Sequence, residues 1–92
     1  MAMLPKRFWS APGRSPGITY TNNLSHPIYV SIFGYPVAGG WAYLYVNGNF
    51  IAADSGSAFV MTSLAAEVPP GGIYLLTCNC GAYVITSWKE LR

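Results

Sequence analysis

Ninety-two residues with 9% charged side chains, 52% hydrophobic residues and a formal charge of +2 make one domain, with too little chain for a second core. An ordinary soluble domain carries about a quarter charged residues, so much of this surface must be Tyr, Thr, Asn, Ser, Gly and apolar groups, which suits burial against copies of itself or contact with something as uncharged as a sugar. The basic residues stand at the ends, Lys6, Arg7 and Arg14 early and Lys89 and Arg92 late, which reads as solubilising ends and argues against a nucleic-acid binder, whose Lys and Arg cluster along a face.

Met1 to Pro16 reads as an irregular, proline-rich arm, because Pro5, Pro12, Pro16 and Gly13 leave little scope for a helix or paired strand. Its positive start is followed by no apolar core of the kind a signal peptide needs. From Gly17 to Arg92 the chain becomes a succession of short strands. Ile18–Thr21 is the first and ends at Asn22-Asn23. Ile28–Phe33 is the second, and Gly34–Gly40 reads as a loop. Trp41–Val46 follows, and Asn47-Gly48 is a strong hairpin signal answered by Phe50–Ala53. Asp54–Ser57 turns again. Ala58–Val68 has some helical character, but its alternation favours a strand. Pro69-Pro70-Gly71-Gly72 is a turn, and Ile73–Cys78 and Ala82–Trp88 complete an all-β, small antiparallel β-sandwich of about six to eight strands.

The twenty-seven residues between His26 and Asp54 contain no charge. Ile28–Val46 within that run matches the roughly twenty residues of a membrane span. However, Gly34, Pro36, Gly39 and Gly40 would break a helix there, and a membrane barrel needs about eight strands or more. The expectation is a soluble chain that does not span a membrane. Alternation then assigns the faces. Ile28, Val30 and Ile32, with Ala42, Leu44 and Val46, suit a sandwich core, leaving Tyr29, Phe33, Trp41, Tyr43 and Tyr45 outside as candidate interface residues. The inverted assignment, with aromatics inside, would require buried partners for several Tyr hydroxyls.

Little catalytic chemistry is available. His26 precedes Pro27 in a turn and reads as exposed filler. Asp54 reads as a turn residue accepting backbone hydrogen bonds. Glu67 and Glu90 suggest no glycosidase pair, and no motif supports a dyad of His26 with a cysteine. Gly39-Gly40 and Gly71-Gly72 lack the Lys and following helix of a phosphate loop. Cys78 and Cys80 in a strand would place their Cα atoms near the outer limit for a disulfide, and one C-x-C is too few ligands for zinc. The expectation is two reduced thiols, as in a reducing cytoplasm, with a metal shared between chains as the alternative. The chain reads as non-enzymatic, without cofactor or metal.

Four strings in order carry a resemblance: Gly17-Ile18-Thr19-Tyr20-Thr21-Asn22 leading to His26-Pro27-Ile28, then Leu44-Tyr45-Val46-Asn47-Gly48, then Val68-Pro69-Pro70-Gly71-Gly72-Ile73-Tyr74, and finally Trp88-Lys89-Glu90-Leu91. Together with Arg14, they resemble the C-terminal tip domain of bacteriophage tail fibres over residues 14–92. The turn Asn23-Leu24-Ser25-His26 departs from the Gly and basic residue usual there. The resemblance implies an all-β homotrimeric tip, assembled in the bacterial cytoplasm and carried on the virion tail, that binds a host-surface glycan or outer-membrane protein. Tyr35 and Trp41 are then candidate receptor-binding loop residues. The alternative is a structural adaptor whose arm docks on another phage protein through Phe8 and Trp9.

Overall fold

Period-two alternation governs the structure throughout. In the computed structural model, which describes residues 7–92, eight antiparallel strands form two four-stranded sheets and no helix. The strands are β1 (Trp9–Ser10), β2 (Thr19–Thr21), β3 (Ile28–Pro36), β4 (Gly40–Val46), β5 (Asn49–Gly56), β6 (Thr62–Val68), β7 (Ile73–Cys78) and β8 (Tyr83–Leu91). Sheet A has the order β1-β8-β3-β6 and sheet B the order β2-β7-β4-β5. The expected sandwich is therefore present. Only β4–β5 is a hairpin within one sheet; β2 to β3, β3 to β4, β5 to β6, β6 to β7 and β7 to β8 all cross between sheets.

The aliphatic faces meet in the middle as alternation requires. Ile28, Val30 and Ile32 from β3, Leu64 and Val68 from β6, and Ala42, Leu44 and Val46 from β4 form the core with Leu76, Tyr74 and Trp88. Asn47 and Gly48 have positive φ of 52° and 78°, the conformation of a two-residue type I′ turn, which matches the twist of the strands it joins. Gly72 N–H donates to Pro69 O at 2.9 Å with Gly71 at φ 73°, so the Pro-Pro-Gly-Gly string is a reversal between β6 and β7.

Several expectations are corrected. β3 continues to Pro36, so Gly34 and Tyr35 lie in a strand and not in a loop. The β3–β8 register shifts between Phe33 and Gly34, and a Cβ on Gly34 would sit 2.5 Å from Val84 O; glycine there lets β8 approach closely. The stretch before β6 is a loop: β6 begins only at Thr62, after Phe59 with φ 63°. The arm is not wholly irregular, since Trp9 and Ser10 pair with Leu91 and Glu90. Finally, Cys78 and Cys80 are brought face to face, with Cα atoms 5.3 Å apart, inside the range that a disulfide spans and not at its outer limit. β7 ends at Cys78, and the turn that follows shortens the separation a strand would impose.

Candidate functional site

Arg14 and residues from three of the four resembling strings, Tyr20, Tyr74, Trp88 and Glu90, converge on one buried polar cluster. Glu90, fully buried on the inner face of β8, carries five hydrogen bonds. Its Oε2 accepts from Tyr74 OH at 2.8 Å, Trp88 Nε1 at 3.0 Å and Arg14 Nε at 3.2 Å. Its Oε1 accepts from Arg92 at 2.9 Å and from a second Arg14 nitrogen at 3.4 Å. Tyr20 covers the cluster, its ring 4.4 Å from the Arg14 guanidinium carbon and about 6 Å from the rings of Tyr74 and Trp88.

Burial alone would raise the Glu90 pKa, but hydrogen bonds from Arg14, Tyr74 and Trp88, with the Arg14 charge, outweigh it and hold the carboxyl below its ordinary value. Burial, reinforced by the hydrogen bond to Glu90, pushes Tyr74 up to about 12. Arg14 and Arg92 are therefore not merely solubilising ends; they neutralise a charge that would otherwise be costly to bury. Tyr20 and Tyr74 belong to sheet B and Glu90 to sheet A, so the cluster fastens the sheets along one edge. Asn22, also fully buried, does the same at the adjacent turns: its Nδ2 lies within hydrogen-bond distance of the carbonyls of His26, Val68 and Pro69. The buried members of these motifs make fold-defining contacts, whereas Tyr45 of the Leu44–Gly48 string faces outward.

The outward faces differ sharply. On sheet B, Trp41, Tyr43 and Tyr45 form a row along β4, with Trp41 stacked on Tyr43 (6.5 Å, 15°) and Phe50 packed against Tyr43 and Tyr45. Asn79 holds the row in place: its Oδ1 accepts from Trp41 N–H and its Nδ2 donates to the Tyr43 hydroxyl. Register puts Thr19, Leu75, Thr77, Ala53 and Ser55 on the same surface, and none of these residues is charged. A groove of about 330 Å³ runs beside Tyr45, between Thr19, Gly48, Ile73 and Leu75.

Tyr29 and Phe33 are exposed as expected, but on sheet A. The five candidate aromatics therefore belong to opposite faces of the sandwich and not to one surface. Tyr35 and Trp41 likewise sit in strands of different sheets and make no common loop; Tyr35 packs on Phe59. Sheet A's outer face carries Glu67 and Lys89, and a depression of about 300 Å³ lies among Trp9, Ser31, Phe33, Ser87 and Lys89. Sequence reasoning missed this grouping, because it treated β1 as unstructured and ended β8 at Trp88. Phe50 was missed as well, although the two-residue Asn47-Gly48 turn pairs it directly with Tyr45 and so puts it in the row.

His26 is half-buried, and its Nε2 has no hydrogen-bond partner; it lies beyond the Ile73 end of β7, whereas both cysteines lie at or beyond the other end. No Cys–His dyad forms. Asp54 lies in β5 and accepts from the backbone N–H of Ser55 and Ser63, both at 2.9 Å, which ties the two sheets at the edge opposite Glu90. Among the described residues no cluster of three or more His, Cys, Asp or Glu is placed to hold a metal, and no helix is long and apolar enough to cross a membrane. Compared with family models, curated proteins and solved structures, the chain matches none.

Proposed function

We propose that this chain is a non-catalytic, self-assembling module of a phage tail, similar to a tail-fibre tip, that packs as a homotrimer through the outer face of sheet B and meets the host surface with what remains exposed. The observation that carries the reading is the asymmetry of the sandwich. One outer face combines four aromatic rings with no charge, whereas the other carries both an acid and a base. Desolvating an uncharged aromatic surface costs little and gains apolar burial, and aromatic residues are enriched where subunits meet. The order of the four resembling strings supports the tail-tip setting, in the virion after assembly in the bacterial cytoplasm.

Light scattering coupled to size exclusion tests the assembly. The expected mass at micromolar concentration is three times the 9.9 kDa chain, and Tyr43→Glu is expected to release folded monomers. A wild-type chain that stays monomeric at that concentration would sink the reading. A second reading, an adaptor anchored by its N-terminal segment, is favoured by the exposure of Phe8 (63%) and Trp9 (52%). Replacing both by Ser would then abolish incorporation into particles without changing the mass of the isolated protein.

A further inference from the structure

We infer that the depression on the outer face of sheet A is a binding site for an acidic sugar, a pyranose bearing a carboxylate. The inference takes its setting from the host-surface reading above but concerns the face opposite the proposed subunit contact, so a trimer packed through sheet B leaves the site open. Its floor is Ser31 on β3 and Ser87 and Lys89 on β8, which the strand register brings side by side. Trp9 and Phe33 rise at its two ends, both exposed, with Trp9 braced edge-on by Tyr29 at 6.4 Å. The volume of about 300 Å³ sits at the small end of ligand sites, the size of one or two sugar rings.

The chemistry of the lining selects the ligand. Aromatic rings stack on the apolar faces of a pyranose, and the serine hydroxyls both donate and accept, as sugar hydroxyls require. Lys89 has no carboxylate within ion-pair distance, since both ion pairs among the described residues use Glu90. The acid of this face, Glu67, stands opposite Tyr29 on β6 and outside the depression. An uncompensated ammonium between two rings favours an anionic ligand over a neutral one.

Saturation-transfer and chemical-shift titration of the intact chain with methyl β-glucuronide, methyl β-glucoside and glucose 6-phosphate tests this. The glucuronide is expected to bind in the millimolar range, about tenfold tighter than the glucoside, with shifts at Trp9, Phe33 and Lys89. Lys89→Gln is expected to remove that tenfold preference, and Phe33→Ala to weaken both sugars. Lys89 lies on the surface, so its variant is expected to keep the wild-type circular dichroism spectrum and melting temperature. Absence of glucuronide binding at 20 mM (roughly ten times a typical millimolar constant) overturns the site, as does equal binding of glucuronide and glucoside, or a preference unchanged in Lys89→Gln. Tighter binding of glucose 6-phosphate would overturn the carboxylate assignment. A trimer that ignores glucuronide refutes the site alone, and a monomer that binds it refutes the assembly alone.

Discussion

Glu90→Gln isolates the electrostatics of the buried cluster, because it keeps the volume and removes only the charge and one acceptor. Five donors converge on the two carboxylate oxygens. An amide has one oxygen, and its NH₂ must face donors wherever it is placed. If the oxygen stays at the Oε2 position, the bonds from Tyr74, Trp88 and Arg14 Nε persist, while those from Arg92 and the second Arg14 nitrogen become donor–donor conflicts. Losing two charge-assisted bonds at roughly 1.5 kcal/mol each costs about 3 kcal/mol. Arg14 and Arg92 keep some water, at 20% and 28% side-chain exposure, which holds the loss below the upper range for a broken buried pair. For a domain of this length that corresponds to a melting temperature lower by about 12–24 °C. Urea and thermal denaturation should be run at one fixed protein concentration, since assembly couples stability to concentration. A loss under about 1 kcal/mol, below a single such bond, would show that the cluster is not what fastens the sheets.

Four further outcomes are expected. Stability should fall in acid: the Glu90 pKa is depressed in the fold, so its contribution is present above the unfolded value near 4.3 and is lost as pH drops through the lower folded one, a loss absent from Glu90→Gln in denaturation titrations. At the alkaline end, Tyr74 is raised to about 12, so its contribution is intact below the unfolded value of about 10 and disappears between there and 12, and Tyr74→Phe should flatten that limb. Asn22→Ala should cost about 2–3 kcal/mol by leaving carbonyls of His26, Val68 and Pro69 without a side-chain donor, measurable by urea unfolding and by faster amide exchange at Leu24, whose N–H donates to Asn22 Oδ1. Gly34→Ala should destabilise by about 1–3 kcal/mol, because its Cβ would meet Val84 O at 2.5 Å and the Tyr83 ring at 2.6 Å; an unchanged melting temperature would contradict the close approach of β3 and β8.

Local chemistry alone determined which residues face inward and where the chain reverses. The aliphatic sets Ile28, Val30, Ile32 and Ala42, Leu44, Val46 are buried as their alternation demands, because a pleated strand sends successive side chains to opposite faces whatever its neighbours. The Asn47-Gly48 turn was legible for a similar reason, since few residue pairs accept positive φ at both positions. What only the tertiary structure decided depends on contacts far apart in sequence. Arg14, Tyr74 and Glu90 meet although 76 residues separate the first from the last, and nothing near Glu90 in the chain marks it as buried. The partition of the exposed aromatics is of the same kind. Alternation says that Tyr29, Phe33, Trp41, Tyr43 and Tyr45 point outward, but β3 and β4 belong to different sheets, so outward means two opposite directions. That crossing divides the uncharged aromatic face of sheet B from the face of sheet A that carries Lys89 and Glu67.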